Sequence, residues 1–212
     1  MMVYPRYVVT GTDTDVGKTV FCAALVGALG AFYWKPVQAG TDESGNGDRE
    51  RVAQLSGAEP ARILQESFRL ATPCSPHLAA RIDGVEIDPG ELAVPDVAGP
   101  LVIEGAGGVL VPLTPTTLFG EVFAGWSLPT ILVARTALGT INHSLLSIEA
   151  LRSRGVPIHG IAFSGEENPE TESIIARIGK VRHLGRLPRL ANLDRDTLAA
   201  AFASHFDITD FA

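Results

Sequence analysis

Tyr7-Val8-Val9-Thr10-Gly11-Thr12-Asp13-Thr14-Asp15-Val16-Gly17-Lys18-Thr19 decides the fold. Tyr7 to Thr10 is apolar and β-branched enough to read as a buried strand, and Gly11 stops it. From Gly17 to about Leu29 the pattern is helical, with Gly30 as its stop. A strand, a turn and a helix that opens on Gly-Lys-Thr form the setting in which a loop holds phosphate. Successive backbone N–H groups and the positive end of the helix cradle anionic oxygens. Gly17 permits close backbone approach, Lys18 reaches the terminal phosphates, and the Thr19 hydroxyl is a magnesium ligand. Five residues separate Gly11 from Gly17-Lys18 where the standard pattern has four. That insertion bears on which branch of nucleotide-binding proteins to consider, not on whether nucleotide binds.

Working outward, strands and helices alternate. Phe32 to Trp34 is a second strand, cut by Pro36, and Asp42 to Asp48 is a polar loop. Arg49 to Leu55 and Pro76 to Arg81 read as helices, with turns from Asp83 to Gly99. Leu101-Val102-Ile103-Glu104 reads as an apolar strand ending in an acid. Strands follow at Thr130–Ala134, Ile158–Phe163 and His183–Leu187, and helices at Ile141–Arg152, Glu170–Ile178 and Asp194–Ser204. Near-continuous apolar strands alternating with helices predict an α/β fold with a mostly parallel sheet covered on both faces. No repeat or linker interrupts the chain, so one domain is expected over residues 1–212.

Composition narrows the function. The chain has 212 residues with 17 Lys and Arg against 24 Asp and Glu, a net charge of −7, which argues against a strongly basic nucleic-acid binder. Cys22 and Cys74 stand far apart in no CxxC pairing, so a reducing cytoplasm is expected, without disulfides or a cysteine zinc site. Met1-Met2-Val3-Tyr4-Pro5-Arg6 lacks the pattern of a signal peptide. Val20 to Trp34 carries no charge but contains Gly27 and Gly30, and it falls short of the ~20 apolar residues of a spanning helix. A buried helix followed by a buried strand accounts for it, and no membrane role is expected.

A magnesium nucleotide also needs acids, because Mg²⁺ takes oxygen ligands. Glu104 lies where a buried parallel strand opens onto a crevice, and Gly105-Ala106-Gly107-Gly108 lets backbone approach a ligand. Asp48 is weaker alone, being an acid in a polar loop. Lys35, after the aromatic strand, is either a surface cation or one that neutralises a transferring phosphoryl group.

Taken together these residues resemble the dethiobiotin synthetase family. The match runs through Val9–Thr19, Lys35-Pro36-Val37-Gln38-Ala39-Gly40, Ser75-Pro76-His77, Glu104–Gly108 and Leu138-Gly139-Thr140-Ile141-Asn142-His143. The resemblance implies a homodimeric, doubly wound P-loop fold. It also implies ATP- and Mg²⁺-dependent ring closure of 7,8-diaminononanoate with CO₂ through a carbamate and a carbamic–phosphoric anhydride. By the same resemblance, Thr19, Asp48 and Glu104 would hold Mg²⁺, while Lys18 and Lys35 would act on the phosphoryl group and carbamate. Nucleotide would lie along Asp15, Val16, Gly17, Lys18, Thr19, Val20, Gly105, Ala106 and Gly107, with Ser164, Pro188, Arg189 and Leu190 on the base side. Substrate would meet Thr14, Ala39, Gly139, Thr140, Ile141 and Asn142, the last four across the dimer interface. His77 and His143 stay open between a direct and a structural role.

Three positions depart from the family pattern. Ala39 replaces a hydroxyl residue, with Thr41 as a substitute donor, and Asp15 replaces the usual Glu. Ser164-Gly165 stands where the family has an Asn-Asp pair that reads adenine, which predicts looser base selection. The alternative function is a partitioning-type P-loop switch ATPase. Those proteins carry a signature lysine early in the loop, where this chain has Asp13.

Overall fold

The computed structural model describes residues 4–212, so the expectation about a leader at Met1–Val3 lies outside the described residues. Eight strands and seven α-helices alternate: β1 (Arg6–Gly11), α1 (Lys18–Leu29), β2 (Phe32–Trp34), β3 (Val37–Ala39), α2 (Asp48–Ser56), β4 (Phe68–Leu70), α3 (Pro76–Asp83), β5 (Leu101–Gly108), α4 (Phe119–Trp126), β6 (Thr130–Arg135), α5 (Thr140–Ser153), β7 (Ile158–Ser164), α6 (Pro169–Gly179), β8 (His183–Leu187) and α7 (Arg195–His205). Six strands form one sheet in the order β2-β5-β1-β6-β7-β8, with every neighbouring pair parallel.

Alternation along the strands sends residues to two cores. Tyr7, Val9, Val102 and Val133 face α1, α2 and α7 through Phe21, Leu25, Val52 and Phe202. Val8 and Ile103 face α3, α4 and α5 through Ala79, Phe119, Phe123 and Leu151, while Leu132 and Ala134 meet Ile148 of α5 and Ile175 of α6. The sheet is therefore doubly wound, as expected. The chain leaves β1 toward one edge and leaves β5 toward the other, so their carboxyl ends flank a switch point where such folds bind ligands.

α1 shows why Val20 to Trp34 has no charge. Sheet on one side and α2 and α7 on the other bury Phe21, Cys22, Ala23, Ala24, Leu25 and Val26. Among the described residues no helix is long and apolar enough to cross a membrane.

Two features differ from the sequence reading. β5 does not end at Glu104 but runs on through the glycines to Gly108, which lies opposite Gly11 after a shift in register. Glu104 is thus an interior strand residue with its side chain in the core. The sequence also gave no sign of α4 or of the short parallel pair β3–β4. α4 contains two glycines and three aromatics, a poor helical composition. Packing forms it: Phe119 and Phe123, one turn apart, are fully buried, and Trp126 Nε1 donates to the Leu92 carbonyl at 2.7 Å.

Helix beginnings differ in charge. The first turns of α2, α4, α6 and α7 contain acids, whereas those of α1, α3 and α5 contain none.

Candidate active site

The phosphate loop is built tightly on β1. Gly17, the residue before α1, has φ of 96°, and a Cβ there would lie 2.7 Å from Ser164 Oγ. Glycine is needed both for the left-handed backbone and for that approach, which brings the end of β7 against the loop. Gly11 is closed in similarly by Val16 and the Asp13 carbonyl. Lys18 Nζ donates to the Asp13 carbonyl at 2.9 Å, folding the lysine back across the loop. Burial lowers the Lys18 pKa; Glu104 opposes that shift and Lys35 adds to it.

Beside the loop sits a buried charge cluster. Thr19 Oγ1 donates to Glu104 Oε1 at 2.8 Å, Lys35 Nζ to the same oxygen at 3.1 Å, and the Tyr33 hydroxyl to Oε2 at 2.8 Å. Lys35 also pairs with Asp48. Glu104 is wholly buried, Lys35 is 4% exposed and Asp48 34% exposed, so one lysine bridges a core carboxylate and a carboxylate at the cavity mouth. Burial disfavours the Lys35 charge, but Glu104 and Asp48 outweigh it and raise its pKa, keeping the ammonium charged. Burial, then the field of Glu104, pushes the Tyr33 hydroxyl and the Cys22 thiol well above their ordinary ranges, so both remain protonated donors.

Asp48 is placed by Gln38. That buried side chain accepts from the Asp48 backbone N–H at 3.1 Å and donates to the Gly40 carbonyl at 2.7 Å, fixing the start of α2 to β3. Glu50 completes the helix start by accepting from Gly47 N–H at 2.7 Å.

These residues border a cavity of about 780 Å³. Thr14, Asp15, Gly17, Lys18, Thr19, Val20, Lys35, Ala39, Asp48, Glu104, Ala106 and Gly107 line it, with Ser75 and Val111 opposite. A groove of similar size, about 840 Å³, runs between α1 and α7, but its lining is mostly apolar, with Arg195, His205 and Asp207 as its titratable residues and neither lysine nor phosphate loop. The chemistry therefore belongs to the first.

Other expected residues lie elsewhere. The Val16 side chain is core, and Gly105 faces Phe123 of α4, where a Cβ would come within 2.8 Å. Ser164 touches the loop at Gly17, and Pro188, Arg189 and Leu190 follow β8, whose Leu187 lies in register with Ser164. Gly139, Thr140, Ile141 and Asn142 line a separate hollow at the start of α5. His143 borders another hollow with Thr12 and Asp13. His77 stands behind the cavity wall, its Nδ1 3.0 Å from the Ser75 hydroxyl. Thr41 does not line the cavity, whereas Ser75, another hydroxyl residue, does.

Sequence reasoning missed Tyr33 and Gln38, whose side chains hold Glu104 and the start of α2 at Asp48. Residue type gave no signal: a strand tyrosine reads as core. The donors suit a divalent cation, since Thr19, Asp48 and Glu104 offer only hard oxygens in one cavity that also meets the phosphate loop.

A family model described as an AAA domain matches residues 5–197. The chain is 65% identical over 207 residues to the ATP-dependent dethiobiotin synthetase BioD of Rhodopseudomonas palustris (strain BisB18), covering 98% of each chain. It is 60% identical to the enzyme of that name from Novosphingobium aromaticivorans, covering 97% of this chain and 98% of the relative. It is 59% identical to that from Agrobacterium fabrum, covering 97% and 96%. Among solved structures, a ParA family ATPase from Chlorobium tepidum TLS superposes with a TM-score of 0.55 at 12% identity, over 95% of this chain and 89% of that one. That likeness concerns the fold alone.

Proposed function

We propose a reaction course for this chain, which belongs to the ATP-dependent dethiobiotin synthetase family and is an ATP-dependent ligase of biotin synthesis. The substrate is 7,8-diaminononanoate. One amine takes up CO₂ as a carbamate, whose oxygen attacks the γ-phosphorus of ATP and expels ADP. The second amine then attacks the carbamate carbon of the resulting anhydride, releases phosphate and closes the ureido ring.

Lys35 carries this reading. A lysine held charged in the core, beside the phosphate loop and facing a cavity, suits an anion acquiring a phosphoryl group. Lys18 and the backbone of Asp15–Val20 hold the phosphates, while Lys35 orients the carbamate oxygen toward phosphorus. Thr19, Asp48 and Glu104 hold Mg²⁺, which when bound neutralises charge on the phosphate oxygens. The Thr14, Ala39 and Ser75 side of the cavity receives the diamine, and the segments at Ser164 and Pro188–Leu190 receive the base.

The chain works as one domain and as a cytoplasmic homodimer in this proposal. Gly139–Asn142 lie apart from the cavity of their own chain, and Leu138, Ile141 and Leu146 are exposed around them. A second copy would cover these apolar residues and bring the start of α5 to the far end of the substrate. Two unpaired cysteines fit a reducing compartment.

The test is mass spectrometry of protein, 7,8-diaminononanoate, bicarbonate, Mg²⁺ and ATP. A product heavier by carbon dioxide minus water, with phosphate released in equal amount, is expected. Nucleotide hydrolysis without that product would overturn the reaction and favour a switch ATPase.

A further inference from the structure

Glu104 is a carboxylate whose two oxygens have been given different surroundings. Oε1 faces Thr19 and Lys35 at the cavity, and Oε2 takes the Tyr33 hydroxyl at 2.8 Å from inside the core. This division follows from register. Tyr33 on β2 lies opposite Val102 on β5, and Glu104 is two residues further along the same face. The tyrosine ring thus runs beneath β5 toward the carboxylate. Cys22, one turn along α1 from Thr19, is fully buried beside the same group.

The terminal torsion of a glutamate is soft and nearly two-fold, so an unrestrained carboxylate exchanges its oxygens readily. A half-turn only swaps two equivalent oxygens, but rotation of the carboxylate plane away from Tyr33 would break a hydrogen bond of a phenol that has no water to replace it, since Tyr33 is 0% exposed. We propose that Tyr33 is a positioning residue for the divalent-cation site. It holds one carboxylate oxygen from the core side and so fixes the plane in which the other is presented to the cation accompanying the nucleotide. This rests on Glu104 being a ligand of that cation. Partners of this kind set ligand orientation, and their loss costs about 10–100-fold in metal affinity.

The experiment is a Mn²⁺ titration of the whole protein with ADP, free Mn²⁺ being read by electron paramagnetic resonance. It compares the natural protein, Tyr33→Phe, Glu104→Gln and the double variant. ADP affinity in chelator and melting temperature are measured alongside. Tyr33→Phe should weaken Mn²⁺ binding about 10–100-fold, leave metal-free ADP affinity unchanged and add nothing in the Glu104→Gln background. Unchanged Mn²⁺ binding by Glu104→Gln would overturn the ligand role of Glu104 itself. Loss in Glu104→Gln with natural affinity in Tyr33→Phe would overturn only the Tyr33 proposal, as would additive losses. Should Tyr33→Phe unfold, 4-aminophenylalanine at position 33 keeps a donor there. Natural Mn²⁺ affinity with that side chain supports the proposal, and a 10–100-fold loss overturns it.

Discussion

The phosphate end of the site and its opposite ends are built in different ways. Lys18, Lys35, Asp48 and Glu104 are each buried or half-buried and tied to a named partner. Around Ser164, Arg189 and Gly139–Asn142 the surface is largely exposed, and Arg189 meets only Glu166 at 3.7 Å. Charge stabilisation needs dipoles fixed before reaction, and burial is what fixes them. Recognition of the base and of the substrate tail requires only contact, which an exposed loop or a second chain can supply.

The sharpest way to break this contrast is Lys35→Ala. Turnover should fall about 10²–10³-fold while a fluorescent ATP analogue still binds; steady-state kinetics within tenfold of the natural protein would remove Lys35 from the phosphoryl step. At the exposed end, ATP, GTP and CTP compared at matched concentration should differ in kcat/KM by less than about 10²-fold. Sites built to hydrogen-bond a ligand discriminate by 10⁴ or more. A spread of that order would mean that backbone after β7 reads the base as well as an amide pair does.

Ile141→Asp tests the other exposed element. It should halve the mass seen by light scattering and raise KM for the diamine about tenfold, equivalent to about 1.4 kcal/mol of lost contact, without altering nucleotide affinity. An unchanged mass with unchanged KM would confine the site to one chain.

The smallest expected effect concerns Glu50. Burial opposes its charge, but Gly47 N–H, Arg49 and Arg69 lower its pKa from 4.5 to about 2. Its stabilisation is therefore complete above pH 4.5 and disappears as pH falls through about 2. Glu50→Gln should cost no more than about 1 kcal/mol at neutral pH, because solvent still reaches and screens the group and its partner Arg69, 29% and 32% exposed. Melting curves of the two proteins should converge between pH 4.5 and 2. A constant difference across that range would detach Glu50 from the start of α2.

How far the sequence led follows the same division. Gly17-Lys18-Thr19 could be read because type, order and neighbouring strand carry the chemistry. Lys35, the family resemblance aside, reads as either a surface cation or a site cation, and its burial beside Glu104 is seen only in the structure. The six-stranded sheet was legible because its strands are apolar runs separated by helical patterns. Glu104 was found but placed at a strand end, since three glycines in four residues look like a loop until Gly108 pairs with Gly11. α4 and the β3–β4 pair went unseen, as neither has a period long enough to register. Tyr33 entered only as a strand residue and Gln38 only as part of a family segment, and the roles of their side chains could not be read. Their contribution is a contact with a distant residue, and contacts are set by topology.

The helix beginnings carry a last consequence. A molecule with net charge −7 must admit a triphosphate and a carboxylate, which its mean field repels. The acids are not spread evenly over its helices. Those in the first turns of α2, α4, α6 and α7 complement their own helix dipoles. α1, α3 and α5 are left electrically open. The first two open beside the phosphate cavity, which α2 also borders through Asp48, and in the proposed dimer the third would face the far end of a neighbour's substrate. An anion approaching this acidic surface thus finds its few welcoming points already sorted from the rest.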